Sequence, residues 1–318
     1  MVISTPRMRV YLTSHHTYPA RIRGVAGCRV IDNIARGLAE LGHETHYHLG
    51  GGIIEALPEG VRAAAGPVPD ADIWHVQDAN PNGVLEGDAP WVRTYHSNEP
   101  LSATAPDRHH LNNWIFVSRS HARANGRTRF VYNGIDPNEV VYSESKDDYF
   151  LFVVSHLSRA HAKGVAIAME LQQLCGFRLI IGGGTDDEIA EWLPKYGRTG
   201  IEFAGWIEDR RRAELFAGAR ALLFPTQVDE TFGLVAAEAM MSGTPVIASD
   251  RGACPEVVTN ETGFVCSEMA DYIRAVNGVG QISPQACRKR AMEEFHYLKM
   301  ARNYVDQYLV QMRGGPAC

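Results

Sequence analysis

Two glutamates eight positions apart are the strongest candidates for ligand binding in this sequence. Glu230 precedes a segment whose small and apolar residues predict a helix over 232–241, and Glu238 lies within that segment. At a rise of 1.5 Å per residue, the two carboxylates are about 10–12 Å apart along the helix axis. Because a carboxylate accepts two hydrogen bonds, each glutamate suits the neighbouring hydroxyls of a sugar or ribose ring.

The start of the same helix favours an anion between the two carboxylates. Thr231 occupies the expected N-cap position, and Gly233 allows the backbone to approach a ligand closely. The free N–H groups and the positive dipole end of a helix form a ready phosphate site. The segment therefore predicts a sugar diphosphate nucleotide, with the sugar at one glutamate and the ribose at the other.

Two histidines and two arginines near the first predicted strand are candidates for acceptor binding. His15 and His16 follow the strand, and Arg21 and Arg23 lie in the glycine-containing loop after it. These side chains suit hydroxyl groups or an anionic acceptor. An ordinary polar loop is the alternative that the sequence leaves open.

Metal binding is not predicted. Asp70 and Asp72 form an Asp-x-Asp pair, but the pair precedes a strand, where a solvated turn is expected. His46 and His48 share one strand face, yet the sequence identifies no further ligands for a zinc site. The three glycines at 182–184 lack the Gly-x-Gly-x-x-Gly spacing of a dinucleotide fingerprint.

Alternating strands and helices must position these residues. The first part of the chain predicts strands near 9–13, 43–49, 73–76, 91–96 and 114–117, with a helix from 30 to 41. A second series begins with a strand at 149–154 and alternates up to a strand at 245–248. This α/β pattern predicts two Rossmann-like, doubly wound parallel sheets, with a ligand cleft at the carboxyl ends of their strands.

The polar stretch 142–148 divides the two series. We therefore predict an N-terminal domain over 1–141, a linker at 142–148 and a second domain over 149–300, for which the family resemblance given below implies binding of an acceptor and of a donor, respectively. A helix and tail over 301–318 are expected to pack back on the first domain. The second domain is complete in size, so the shortness of the chain lies in the first domain. A small first domain suits a bulky acceptor, or an acceptor site whose walls come partly from a second subunit.

Composition excludes several classes of protein. The chain has 318 residues, 45% of them hydrophobic, which suffices for two cores of about 150 residues. No apolar run is long enough to span a membrane, and a net charge of -6 gives no footprint for nucleic acid. Six scattered cysteines and the lack of a signal pattern predict a cytoplasmic protein, free or peripheral to a membrane.

Residues 224–248 resemble the Glu-x7-Glu signature of retaining GT-B glycosyltransferases of family 4. From Glu230 the sequence reads ETFGLVAAEAMMSGTPVIA, and the stretches 249–258 and 262–265 are similar to the tail that follows this signature. In the first half, Thr94-Tyr95-His96, Val117-Ser118 and Asn133-Gly134-Ile135-Asp136 resemble elements of the same family. The resemblance implies a GT-B fold, in which two Rossmann-like domains face each other across a cleft.

The resemblance also implies catalytic roles. Glu230 would contact the donor sugar, and Glu238 the ribose of the nucleotide. His96 would reach the donor sugar near the reacting centre, and Lys163 would neutralise the departing diphosphate. The segment before Lys163 departs from the family pattern, because His156 replaces the expected arginine and two extra residues are present. Arg159 is the candidate to supply the missing guanidinium.

The remaining donor-binding candidates are mostly backbone positions. The resemblance implies that the phosphates face the backbone at the start of the helix, and that glycine loops approach the diphosphate and the acceptor. The full set is Thr231, Phe232, Gly233, Leu234, Gly24, Gly27, Gly183, Gly205 and Trp206.

The predicted reaction is transfer of a hexose with retention, by front-face substitution. A nucleotide sugar is the co-substrate, UDP-glucose being preferred and GDP-mannose open, with no metal or other cofactor. The acceptor is a small molecule, a saccharide or a lipid-linked saccharide, and a homodimer is an open alternative. The rival interpretations are a non-catalytic sugar-nucleotide-binding protein of this fold and a sugar-nucleotide epimerase.

Overall fold

The chain forms two compact α/β units. The computed structural model describes residues 6–20, 26–77, 89–99 and 112–314. The first unit comprises Met1–Gly134 together with His296–Cys318, and the second comprises Ile135–Phe295. The units thus meet at 134/135 and 295/296, whereas the predicted domains are 1–141 and 149–300, with a linker at 142–148 and a C-terminal helix and tail from 301. None of the helices in the described ranges has the length and apolar character needed to cross a membrane.

The first unit is built on a parallel sheet in which β1 is central. Its strands within the described residues are β1 (Arg9–Ser14), β2 (Glu44–Leu49), β3 (Val61–Ala63), β4 (Ile73–Val76), β5 (Trp91–Tyr95) and β6 (Trp114–Phe116). They pair in the order β3-β2-β1-β4-β5-β6, all parallel. Strand β4 is buried along its whole length, whereas buried and half-buried residues alternate along β2.

The second unit repeats this arrangement. Its strands within the described residues are β7 (Phe150–Val153), β8 (Leu179–Gly182), β9 (Ile201–Gly205), β10 (Ala221–Phe224), β11 (Val246–Ser249) and β12 (Gly263–Cys266). They pair in the order β12-β11-β10-β7-β8-β9, again all parallel. In each unit the strand order reverses beside the first strand, between β1 and β4 or between β7 and β10. Ligands of open α/β sheets bind at the carboxyl ends of strands at such a reversal.

Helices connect the strands. Those within the described residues are α1 (Ala26–Glu40), α2 (Arg119–Ala124), α3 (Val165–Cys175), α4 (Asp186–Tyr196), α5 (Asp209–Gly218), α6 (Leu234–Met241), α7 (Cys254–Val257), α8 (Met269–Gly278), α9 (Pro284–Glu294) and α10 (Tyr297–Met312). Local signals explain several boundaries. Thr185 and Glu188 form a capping box at the start of α4, and Gly176 ends α3 in a left-handed conformation. Helices α9 and α10 are separated by Phe295, which is the C-cap of the first, and His296, which is the N-cap of the second.

Helix α10 belongs to the first unit because it packs on α1 and on the sheet. A Cβ added at Gly37 of α1 would lie 2.6 Å from the Cβ of Ala301, so the two helices approach closely. Arg36 of α1 lies over the ring of Tyr297, at 5.1 Å from its centroid. These contacts hold the last helix against residues that are far away in the sequence.

A buried polar chain attaches α10 to strands β4 and β5. The Nδ1 atom of His75 lies 2.7 Å from the hydroxyl of Tyr308, and its Nε2 atom lies 2.8 Å from Oγ1 of Thr94. The same Thr94 oxygen lies 2.8 Å from the hydroxyl of Tyr304. Burial lowers the pKa of His75 to about 3, so the ring is neutral and the chain carries no charge. Each ring nitrogen has a partner, which is what a buried imidazole requires.

Replacing Tyr308 with phenylalanine is expected to destabilise the protein by about 1–3 kcal/mol, because a ring nitrogen of buried His75 loses its partner. The measurement is the shift of the thermal unfolding midpoint. Tyr142→Phe is the control, since the Tyr142 hydroxyl bonds Glu144 at an exposed site. Equal shifts for the two variants would contradict a stabilising role for the buried chain.

Candidate functional site

An ion pair spans the reversal of strand order in the second unit. Lys163 lies in the connection after β7, and Glu230 lies in the connection after β10. The ammonium nitrogen of Lys163 is 2.6 Å from Oε2 of Glu230. The two side chains are 31% and 15% exposed, so a ligand at the carboxyl edge of the sheet can reach both. Two of the predicted catalytic residues are thus brought together.

The turn that carries Lys163 is held against the connection after β10. Gly164 has a positive φ of 83°, and a Cβ at this position would lie 1.9 Å from the carbonyl oxygen of Pro225. The N–H of Gln227 donates to the carbonyl of Ala162 at 2.9 Å. Only glycine allows this approach, so the sequence Lys163-Gly164 places the ammonium group beside the Glu230 segment.

The backbone of Glu230 is held by the segment after β11. The N–H of Ala253 donates to the Glu230 carbonyl at 2.8 Å. Gly252 has a φ of 56°, and a Cβ there would lie 2.3 Å from the same carbonyl oxygen. The sequence analysis assigned Gly252 only to a family tail, whereas the structure gives it a role in placing Glu230.

The prediction of Thr231 as the N-cap of the signature helix is wrong. Helix α6 begins at Leu234, and its N-cap is Gly233, in a left-handed conformation with a φ of 94°. The reason is tertiary packing. The ring of Phe232 is buried edge-on against the ring of Phe295, with the two centroids 5.4 Å apart. No side chain caps this helix, so its amino end is open to an anion.

Glu238, on α6, lies in a second, more deeply buried ion pair. Its side chain is 4% exposed and bonds the guanidinium of Arg212, a residue of α5 whose side chain is 12% exposed. Arg212 also lies over the ring of Phe216, at 4.7 Å from the centroid. Sequence reasoning missed Arg212. The available signal was its position one turn before Phe216, in register with the apolar face of α5.

The predicted glycines and Trp206 lie at the carboxyl ends of β8 and β9. Gly183 has a φ of 116°, and its N–H donates to the Gly205 carbonyl at 2.7 Å, which joins the two connections. The indole N–H of Trp206 bonds Glu208 at 3.0 Å, and the rings of Trp206 and His156 are 6.1 Å apart. Arg159 lies exposed in a short turn over Leu157–Arg159.

Comparison with known proteins is consistent with this geometry. The model of the family described as "Glycosyl transferases group 1" matches residues 149–279, which include both ion pairs. The crystal structure of AviGT4, a glycosyltransferase involved in avilamycin A biosynthesis, superposes with a TM-score of 0.76 at 23% identity. The match covers 97% of this chain and 99% of that one.

Residues 149–279 thus match the group 1 glycosyltransferase family, and the fold of the chain is GT-B.

One curated relative and one further solved structure show how much of the chain is matched. The MMP alpha-(1->4)-mannosyltransferase of Mycolicibacterium hassiacum is 34% identical over 177 residues, which are 52% of this chain and 41% of that protein. The structure of Anabaena HepE in complex with UDP-glucose matches with a TM-score of 0.69 at 18% identity, covering 95% of this chain and 99% of that one. The chain spans about a third of the length of the first curated relatives it matches.

In the first unit, His96 lies at the carboxyl end of β5. The side-chain nitrogen of Gln77, at the end of β4, donates to the Gly27 carbonyl at 2.8 Å and lies 2.5 Å from Nε2 of His96. A Cβ at Gly27 would lie 3.0 Å from the His96 ring, so the glycine packs directly on the imidazole. Burial lowers the pKa of His96 to about 3, so the ring is neutral, with Nε2 as acceptor and Nδ1 as donor.

The residues that follow His96 are anchored by a second histidine. Nε2 of His121 lies 2.9 Å from the Ser97 carbonyl, and the His121 ring stacks on Tyr95. Ser118 starts α2 as its N-cap by accepting from the His121 N–H. Burial lowers the pKa of His121 to about 4, so this anchor is also neutral. Sequence reasoning identified neither Gln77 nor His121.

His16 forms a charged pair that the sequence analysis did not anticipate. Its ring nitrogens lie 2.8 Å from Oγ of Ser14 and 2.9 Å from Oδ1 of Asp32. Asp32 also accepts from the Tyr47 hydroxyl at 2.7 Å and from the Ala20 N–H at 2.8 Å. Burial opposes the charge, but the hydrogen bond and charge of Asp32 raise the pKa of His16 to about 9. Asp32 therefore fixes the segment after β1 against α1.

The remaining acceptor and metal candidates are exposed, paired with Arg9 or outside the described residues. His15 is exposed, while Arg21, Arg23 and Gly24 lie outside the described residues. Both carboxylates of the Asp-x-Asp pair bond Arg9, at its backbone N–H or its guanidinium. Within the part of the chain that the structure describes, no three His, Cys, Asp or Glu side chains group to hold a metal ion.

Replacing Gly252 with alanine is expected to lower the unfolding midpoint more than replacing Gly176. Both glycines have a positive φ, which costs an alanine about 1–2 kcal/mol. At Gly176 the added Cβ meets no atom within 4 Å, whereas at Gly252 it meets the Glu230 backbone, which adds about 1–3 kcal/mol of overpacking. Thermal unfolding of both variants measures the difference, and equal shifts would contradict the close approach.

Stability that depends on His16 is expected to change with pH. Because the folded pKa lies above the ordinary value of 6.5, the contribution is complete below about pH 6.5 and is lost as the pH rises through about 9. His16→Gln should therefore destabilise more at pH 6 than at pH 10 in urea unfolding. The control is His15→Gln, an exposed neighbour that should change stability by less than about 0.5 kcal/mol at either pH. A pH-independent loss for His16→Gln would refute the charged pair.

Proposed function

We propose that this chain transfers a hexose from a nucleotide-sugar donor to an acceptor hydroxyl, with retention of the anomeric configuration. The observation that carries the proposal is the placement of Glu230 and Glu238 on either side of the open amino end of α6. Lys163 adds a positive charge at the same place. Together these groups provide acceptors for two sets of hydroxyls and a site for a diphosphate between them.

The diphosphate is proposed to bind at the amino end of α6. Backbone N–H groups and the helix dipole attract phosphate there, and the Lys163 ammonium adds a full charge. In the structure Lys163 is paired with Glu230. When a donor binds, the Lys163 ammonium turns to the phosphate and the Glu230 carboxylate accepts hydrogen bonds from sugar hydroxyls. Each member of the ion pair thus exchanges its protein partner for a group of the donor.

The nucleoside is proposed to extend from the diphosphate towards α5. Glu238 would accept the ribose hydroxyls, since an ionised carboxylate has oxygens for both. Trp206 and the glycines of the adjacent connections would border the base, where two left-handed glycines keep side chains out of the space.

In the proposed reaction the protein positions groups and stabilises charge. As the bond from the anomeric carbon to the diphosphate oxygen lengthens, negative charge grows on that oxygen, and Lys163 and the helix amino end stabilise it. The acceptor hydroxyl attacks the same face, and its proton passes to the leaving phosphate oxygen. The scheme uses the nucleotide sugar as co-substrate and requires no resident cofactor.

UDP-glucose and GDP-mannose are the donors to test first. HepE, which shares the fold, was solved with UDP-glucose, and one relative is a mannosyltransferase. The acceptor is proposed to be a small molecule, a saccharide or a lipid-linked saccharide that presents a free hydroxyl.

The experiment is release of UDP or GDP from each donor, with a panel of saccharide and lipid-linked acceptors. Acceptor-dependent release supports the proposal, and Glu230→Gln should reduce it by at least tenfold. The control is Glu293→Gln, which changes an exposed carboxylate on α9. Donor binding in calorimetry without any turnover would favour a non-catalytic binding protein instead.

His96→Ala is expected to lower turnover by tenfold or more while the Kd for the donor changes little. The resemblance implies a position for His96 near the reacting sugar, and its neutral ring would have one N–H to donate there. Steady-state kinetics and calorimetry separate the two quantities. His46→Ala is the control, because His46 is half-exposed on β2 and bonds Glu44. Unchanged turnover for His96→Ala would remove His96 from the reaction.

A further inference from the structure

We propose that Arg212 is the positioning residue that keeps Glu238 charged and oriented for the ribose diol of the donor. The inference rests on the proposed function, because it concerns how one of its binding groups is prepared. Neither the sequence resemblance nor the family match assigns a role to Arg212.

Burial makes a counter-charge necessary at Glu238. As a residue, Glu238 is only 3% exposed on a helix whose neighbouring side chains are buried alanines and methionines. A carboxylate in such surroundings either takes up a proton or pairs with a cation. The guanidinium of Arg212 is bonded to its Oε2 atom, so the structure meets the requirement with an ion pair.

The charged form is the one that the ribose requires. An ionised carboxylate only accepts hydrogen bonds, so it can receive both the 2′ and the 3′ hydroxyl. A protonated carboxyl group would have to donate one bond itself. Without Arg212, the buried group would lose part of its capacity to distinguish ribose from a sugar that lacks a hydroxyl.

Arg212 is itself held in place, which makes it suited to orienting another side chain. Its guanidinium lies 4.7 Å from the centroid of the Phe216 ring, one turn further along α5. The planar group is thus fixed by a ring on one side and by the Glu238 carboxylate at its edge. Because this fixed partner already restricts the side chain of Glu238, Glu238 has less rotamer freedom to lose when a ligand binds.

The same helix contains a matched pair for comparison. Arg210 bonds Glu214, but these side chains are 88% and 54% exposed. Exposed pairs of this kind contribute little to stability and do not touch a buried carboxylate. Arg210→Met therefore removes the same charge from the same helix without changing the surroundings of Glu238.

The test compares ribose with deoxyribose nucleotides by calorimetry. The probes are UDP, 2′-deoxy-UDP, GDP and 2′-deoxy-GDP, each bound to the full chain and to Arg212→Met, Arg212→Lys, Arg210→Met and Glu238→Gln. The wild type should prefer the ribose form of the nucleotide it binds by about tenfold or more. Arg212→Met and Glu238→Gln should each reduce this ratio towards one. The double variant Arg212→Met/Glu238→Gln, measured in the same way, should reduce the ratio no further than either single variant. Arg212→Lys, which keeps a positive charge, should retain part of the preference for ribose. Arg210→Met should retain the full ratio.

The outcomes separate the two proposals. If Arg212→Met weakens the ribose and deoxyribose forms equally, or leaves the ratio intact while Glu238→Gln removes it, the role of Arg212 is refuted and the proposed function stands. If the wild type itself binds neither nucleotide, or binds both sugar forms equally, the ribose assignment of Glu238 fails at the level of the proposed function. Circular dichroism of each variant confirms that the ratios come from folded protein.

Discussion

The ion pair between Lys163 and Glu230 joins the connections that leave strands β7 and β10, where the strand order of the second unit reverses. Parallel sheets leave a crevice at that point, and the pair occupies its edge. Close backbone approaches at Gly164 and Gly252 hold the two connections in place. The amino end of α6 follows Glu230 in the chain, and Glu238 lies one turn further along that helix.

The candidate site residues of the two units differ in charge. In the second unit, the ionised side chains of the candidate site lie in pairs, Lys163 with Glu230 at 2.6 Å and Arg212 in direct contact with Glu238. In the first unit, His75 and His96 are kept neutral by burial and serve as donors or acceptors of fixed direction. His16 is the exception, since Asp32 keeps it charged. The second unit thus carries charged pairs at its candidate site, whereas the first unit carries neutral imidazoles at His75 and His96.

The alternation of strands and helices was sufficient to predict two doubly wound sheets, because most strands are short apolar runs between turn signals and β2 shows a regular alternation; the edge strands β3 and β12 were not predicted. The spacing of Glu230 and Glu238 was likewise readable, because helix geometry converts it into a distance. Pairings between distant segments were not readable. The start of α6 depends on Phe232 packing against Phe295, and Arg212 is recognisable only once α5 lies beside α6. Asp32 and Gln77 were missed for the same reason, since their partners are 16 and 19 residues away.

The most direct test of the account is a crystal structure of the chain with UDP-glucose or GDP-mannose bound. The proposed function predicts the diphosphate at the amino end of α6, within hydrogen-bond distance of the backbone N–H groups of Gly233 or Leu234. Lys163 should have moved from Glu230 to a phosphate oxygen, and the ribose hydroxyls should lie on Glu238. A diphosphate bound elsewhere, with the pair between Lys163 and Glu230 intact, would contradict it.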